Sequence, residues 1–145
     1  MKMKVHFYLI FLISISCSKQ SSKDRLPSIL DQTKNLELNI AKNSVGDSFS
    51  YPIGIPRLST VIVVLNPGES LPLKKHPVPI IHNIIQGELT VEYPDIDTII
   101  TKKSGETYIS VNNQWHTSKN NGSEKLILVG TIIGEKGTPN AIMKN

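Results

Sequence analysis

Histidines are the residues of this chain whose type and placement suit chemistry. There are four, His6, His76, His82 and His116. His6 sits in an apolar N-terminal stretch, whereas the other three lie in a region rich in Ile, Val and Leu. Neutral imidazole ligates metals, and its pKa near 6.5 lets it carry protons at physiological pH. Imidazoles from separate strands of a closed sheet can converge on one Zn, Ni, Fe or Mn ion inside it. Spacing alone does not bring His76, His82 and His116 together. Other reactive groupings are missing: there is no Ser-His-Asp order and no phosphate loop. The single cysteine, Cys17, precedes the folded region, which excludes a cysteine nucleophile within the fold and any intramolecular disulfide.

Elements must position these side chains, and the chain supplies strands cut by turns. Ser59 to Leu65 is an unbroken β-branched and apolar run. Asn66-Pro67-Gly68-Glu69 follows, with Pro and Gly placed for a type II turn. Pro79 to Ile85 and Glu88 to Tyr93 flank Gln86-Gly87 and read as a hairpin. Thr98 to Thr101, Thr107 to Val111, Trp115 to Ser118 and Lys125 to Ile133 are further extended runs. Pro94 to Asp97, Ser104 to Glu106, Asn112-Asn113 and Asn120 to Ser123 separate them. Many short strands with Gly, Pro and Asn turns predict an all-β sandwich or closed barrel. The length of 145 residues suits one domain, and 39% hydrophobic with 19% charged residues suits an ordinary globule.

Two stretches resemble the motifs of the cupin superfamily. Pro67-Gly68 through His76, His82 and Gly87 is similar to the first motif, a Gly followed by His-x-His, a Glu and a Gly. Gly105 through Trp115-His116 to Asn120 is similar to the second, matching its Gly, His and Asn. The resemblance implies a cupin-type jelly-roll β-barrel over residues 44–139, with 140–145 as a C-terminal tail. It also implies a metal site of three His and one Glu, from which this chain departs twice. Lys74 stands at the first His and Ile80 at the Glu, while His76 and His116 are retained. An ammonium repels a cation and Ile80 offers no donor. His82 lies two residues after Ile80, so both share one face of a strand. A shifted site of His76, His82 and His116 is one outcome, and a barrel with no metal or a weakly held one is the other. Lys74 at the old ligand position suits an anionic small molecule, and Trp115 beside His116 is a candidate pocket wall. Asn120 is expected to hold a turn.

The N-terminus reads differently. Lys2 and Lys4 precede an apolar run from Val5 to Ile15, broken by His6 and Ser14, and Ser16-Cys17 follow. A basic start, a short apolar core and small residues make a secretory signal peptide over residues 1–16. The run is too short to favour a retained membrane span. Cys17 at this place resembles the lipobox of bacterial lipoproteins, whose thiol receives a diacylglycerol. Ser16 fits that pattern, while Ser14 stands where the family prefers Leu; a free thiol beside an ordinary cleavage site is the alternative. The resemblance implies export and lipid anchoring to a bacterial membrane, facing the periplasm or the cell surface. Residues 17–43 then form the lipidated end and a linker, polar from Ser18 to Arg25. Leu26 to Leu38 suits a short helix or an edge strand.

Charge argues against nucleic acid. The net charge is +4, and loss of Lys2 and Lys4 leaves 14 basic against 12 acidic side chains. The lysines are scattered, with no basic stripe or interleaved aromatics. The expectation is therefore a membrane-anchored binding module for a small molecule or a weakly held metal. A ligand-free structural lipoprotein, homodimeric as cupins tend to be, is the second reading. A metal-dependent oxygenase or isomerase using the shifted histidines is the third.

Overall fold

The computed structural model describes residues 39–144, so the expected signal peptide over residues 1–16, Cys17 and the 17–43 segment up to Leu38 lie outside the described residues. Nine strands follow one another: β1 (Pro56–Leu65), β2 (Lys74–Lys75), β3 (Ile80–Gln86), β4 (Glu88–Tyr93), β5 (Thr98–Lys103), β6 (Thr107–Ile109), β7 (Thr117–Lys119), β8 (Leu126–Glu135) and β9 (Ile142–Met143). Only a single 3-10 turn, Pro94–Ile96, interrupts them among the described residues. All pairings are antiparallel. One sheet has the order β1-β8-β3-β6, the second β5-β4-β7, and β2 with β9 forms a small third.

Local chemistry accounts for the turns. Gly68 takes φ +81, and the Glu69 N–H donates to the Asn66 carbonyl at 3.0 Å, the closure expected of Pro67-Gly68. Asn120 is fully buried and clasps the chain before β8. Its amide donates to the carbonyls of Leu65 at 3.0 Å and Glu124 at 2.8 Å, and its oxygen accepts from the Gly122 N–H. Asp97, in the left-handed region at φ 45, completes the one tight hairpin of the second sheet, between β4 and β5.

Gln86-Gly87 does not make the hairpin read from the sequence. β3 pairs with β6 and β8, whereas β4 pairs with β5 and β7, so the chain changes sheet at Gly87. Gly87 sits at φ +80 with the β8 backbone against it: an added Cβ would lie 2.9 Å from the Lys125 carbonyl oxygen and 3.0 Å from Leu126 Cα. Glycine is needed here for both conformation and close approach. Two further differences concern short pieces. Strands β2 and β9 were not legible, and residues 140–143, read as a tail, join the barrel through the Lys74–Met143 and Lys75–Ile142 pairs.

The larger core cluster, including Leu65, Ile84, Leu89, Val91, Tyr93, Tyr108, Leu126 and Leu128, fills the barrel between the two main sheets. A smaller cluster of Val78, Ile80 and Ile132 packs separately. A cavity remains among these walls. Replacing Gly87 with Ala should destabilise the fold by more than the roughly 1–3 kcal/mol of left-handed strain alone. Gly105→Ala is the control, since Gly105 has φ +85 but nothing within 4 Å of an added Cβ. Denaturant midpoints of the two variants should fall in that order, and equal losses would show that the contact with β8 is unimportant.

Candidate functional site

Strand alternation decides which side chains enter the barrel. On β3, Ile80, His82 and Ile84 share the inner face, so His82 does point inward with Ile80. Before β7, His116 exchanges backbone hydrogen bonds with Lys74, N–H to carbonyl in both directions at 3.0 and 2.8 Å. Residues opposed in this way place their side chains on the same face, and both line the cavity. His76, two residues after Lys74, lines it as well. The cavity holds about 280 Å³. Aliphatic walls come from Val61, Val63, Leu71, Ile80, Leu128 and Ile132, with Tyr93, Tyr108, Ser110 and Asn140 adding polar edges.

The three histidines share this cavity but do not meet at one point. His76 and His116 face one another with ring centroids 5.0 Å apart. The Nδ1–H of His76 donates to the Asn140 carbonyl at 2.7 Å, and that of His116 donates to the Gln114 carbonyl at 3.1 Å. A carbonyl can only accept, so both rings keep their lone pair on Nε2. His82 instead stacks on Tyr108, its cross-strand partner on β6, at 4.7 Å. Its Nδ1 is buried with no hydrogen bond and lies where a Cβ on Gly130 would come within 3.5 Å. Among the described residues no three His, Cys, Asp or Glu side chains form a group able to hold a metal. Alternation put His82 on the correct face but could not say how far along the barrel it sits from His116.

Electrostatics follow from enclosure. Burial lowers His76 to about 4, with its bond to Asn140 opposing and the nearby His116 and Lys74 adding to the effect. Burial takes His82 down to about 3, helped by His76, His116 and Lys74. His116 is lowered for the same reason, against its bond to Gln114. Burial also lowers Lys74 from the ordinary lysine value of 10.5. The cavity therefore presents imidazoles that burial holds toward the neutral form, together with the Lys74 amine, and its lining includes no Asp or Glu. Donors of this kind do not fit a tightly held divalent ion. Two imidazoles are too few, Ile80 removes the carboxylate, and Lys74 repels a cation.

Trp115 corrects an expectation. It does not line the cavity, because it is the immediate neighbour of inward-facing His116 and turns to the opposite side. There Lys75 and Lys144 place their ammonium groups 5.0 and 5.4 Å from its ring centroid. Sequence reasoning missed Asn140 and Ala141, which line the cavity from the C-terminal end.

No family model and no curated protein matches the sequence. Solved structures do. A protein with a double-stranded β-helix domain from Klebsiella pneumoniae superposes with a TM-score of 0.52 at 19% identity, over 65% of this chain and 88% of that one. The barrel is a double-stranded β-helix, the cupin fold. Oxalate decarboxylase from Lactobacillus farciminis shares the cupin fold at TM-score 0.52 and 21% identity, over 59% of this chain and 26% of its own. A DMSP lyase from Ruegeria pomeroyi does so at 0.51 and 16%, over 60% and 43%. This chain thus spans well under half of either enzyme, and at these identities the likeness is one of fold.

Two outcomes test the site. Incubation with Zn, Ni, Fe or Mn salts, followed by desalting and elemental analysis, should leave well under one metal per chain. Near-stoichiometric metal that is lost in both His76→Ala and His116→Ala would overturn this. The second outcome concerns acid. His76 and His82 bind protons more weakly folded than unfolded, so their contribution is complete above about pH 6.5 and lost as pH falls toward 4 and then 3. Unfolding free energy should fall by up to roughly 1.4 kcal/mol per pH unit for each of the two in that window. Denaturant titrations at pH 7.5, 6 and 5 measure it, and His82→Phe should flatten the slope.

Proposed function

We propose that this protein is a membrane-tethered receptor whose cupin barrel holds a small organic molecule. The observation that carries the reading is the partly open, mostly aliphatic cavity with a few polar groups converging on it, the usual makeup of a ligand pocket. Its volume of about 280 Å³ suits a small ligand. The Nε2 lone pairs of His76 and His116 offer two acceptors for a hydroxyl or amide of that ligand. Export and anchoring belong to the same proposal and rest on the Val5 to Ile15 run and on Cys17. Pairing with a second copy is supported by β1, an edge strand of ten residues whose outer side chains Leu58, Ile62 and Val64 are exposed. An unpaired edge can meet its own copy antiparallel about a two-fold axis.

The test uses the intact chain expressed in a bacterium. It should partition into the detergent phase, and Cys17→Ser should release it from that phase. In detergent it should sediment as a dimer. A panel of small amphipathic molecules should raise its melting temperature, and Val63→Phe, which fills the cavity from β1, should abolish every such rise. A panel that shifts neither protein would refute the receptor reading.

A further inference from the structure

The cavity lining includes one lysine, Lys74, and no acidic side chain. Lys74 is partly buried, and among the described residues its ammonium makes no ion pair or hydrogen bond. It lines the same cavity as all three histidines and is paired through the backbone with His116. None of the lining residues is acidic. A lysine amine at a mostly aliphatic cavity wall, with no acidic side chain in the lining, has no counter-ion in the protein.

We propose that the ligand itself is the counter-ion: a short aliphatic monocarboxylate, its acid group on Lys74 Nζ and its hydrocarbon against Leu71, Ile80, Leu128 and Ile132. This deepens the receptor reading and rests on it. One ammonium matches one negative charge, whereas a phosphate monoester near −2 would bring a second into an apolar enclosure. A zwitterion or an amine would set a second ammonium beside Lys74. A sugar would leave many hydroxyls facing aliphatic walls without partners. The volume sits just below the range of about 300–1,000 Å³ common for drug-sized ligands, which keeps the hydrocarbon short.

The intact chain in detergent is titrated with hexanoate, hexanamide and hexylamine, with binding read by calorimetry and by melting temperature. Hexanoate should bind at least about tenfold more tightly than hexanamide, and hexylamine should not bind. Lys74→Met keeps the apolar stem and should bind acid and amide equally. Without ligand this variant should melt above the wild type, because the uncompensated charge is gone. Equal binding of acid and amide by the wild type, a surviving preference in Lys74→Met, or a Lys74→Met that melts lower would overturn the inference while leaving the receptor reading intact. If the folded wild type binds none of the three compounds at any chain length from four to ten carbons, both fail.

Discussion

Two backbone hydrogen bonds between Lys74 and His116 set the character of the cavity. Because the pair is antiparallel and directly opposed, the ammonium and the imidazole enter the barrel side by side. The same alternation sends their neighbours Lys75 and Trp115 outward together, where the lysine lies 5.0 Å from the indole. The C-terminal segment completes the arrangement. Met143 stands opposite Lys74 and Ile142 opposite Lys75, while the Asn140 carbonyl receives the His76 Nδ1–H. Arg57, at the far end of β1, holds this segment by donating to the Thr138 carbonyl and to Asn140 Oδ1. A residue distant in sequence thus fixes which nitrogen of His76 remains available, while the nearby Gln114 carbonyl does so for His116.

Most of the barrel was legible because its turns carry their own chemistry. Pro67-Gly68 and Pro94 to Asp97 bend where their backbone preferences require, and the runs between them are strands. Asn120 holds its turn by hydrogen bonds that its side chain alone can make. Gly87 was misread because a glycine between two apolar runs looks the same whether the strands fold back on each other or pass to different sheets. The difference lies in β8, which crowds Gly87 and is nearly forty residues further along. Strands β2 and β9 have two residues each, too few for any periodicity, and exist only because they pair with each other. Their absence from the sequence reading is what made residues 140–143 look like a tail.

The site was legible as a face but not as a constellation. Period two correctly put Ile80 and His82 inside, and the same rule, applied to Trp115 and His116, shows that both could not face the cavity. What alternation does not encode is depth. His82 stacks on Tyr108 and lies against Gly130, whereas His76 and His116 face one another. The three inward histidines therefore give one facing pair and one ring stacked on a tyrosine, and among the described residues they form no group of three able to hold a metal.

Burial acts on these groups alike, from different starting values. It disfavours charge on every imidazole and on the ammonium. Histidine starts from 6.5, so enclosure leaves His76 and His82 neutral far below pH 7. Lysine starts from 10.5, and the same enclosure lowers Lys74 from that value. A carboxylate at position 80 would have compensated that charge, but Ile80 is apolar and only 2% exposed. The two departures from the cupin metal pattern are thus coupled. Lys74 supplies a cation where a ligand would stand, and Ile80 removes the anion that would have neutralised it. Together they leave a cavity lining with one lysine and no acidic side chain.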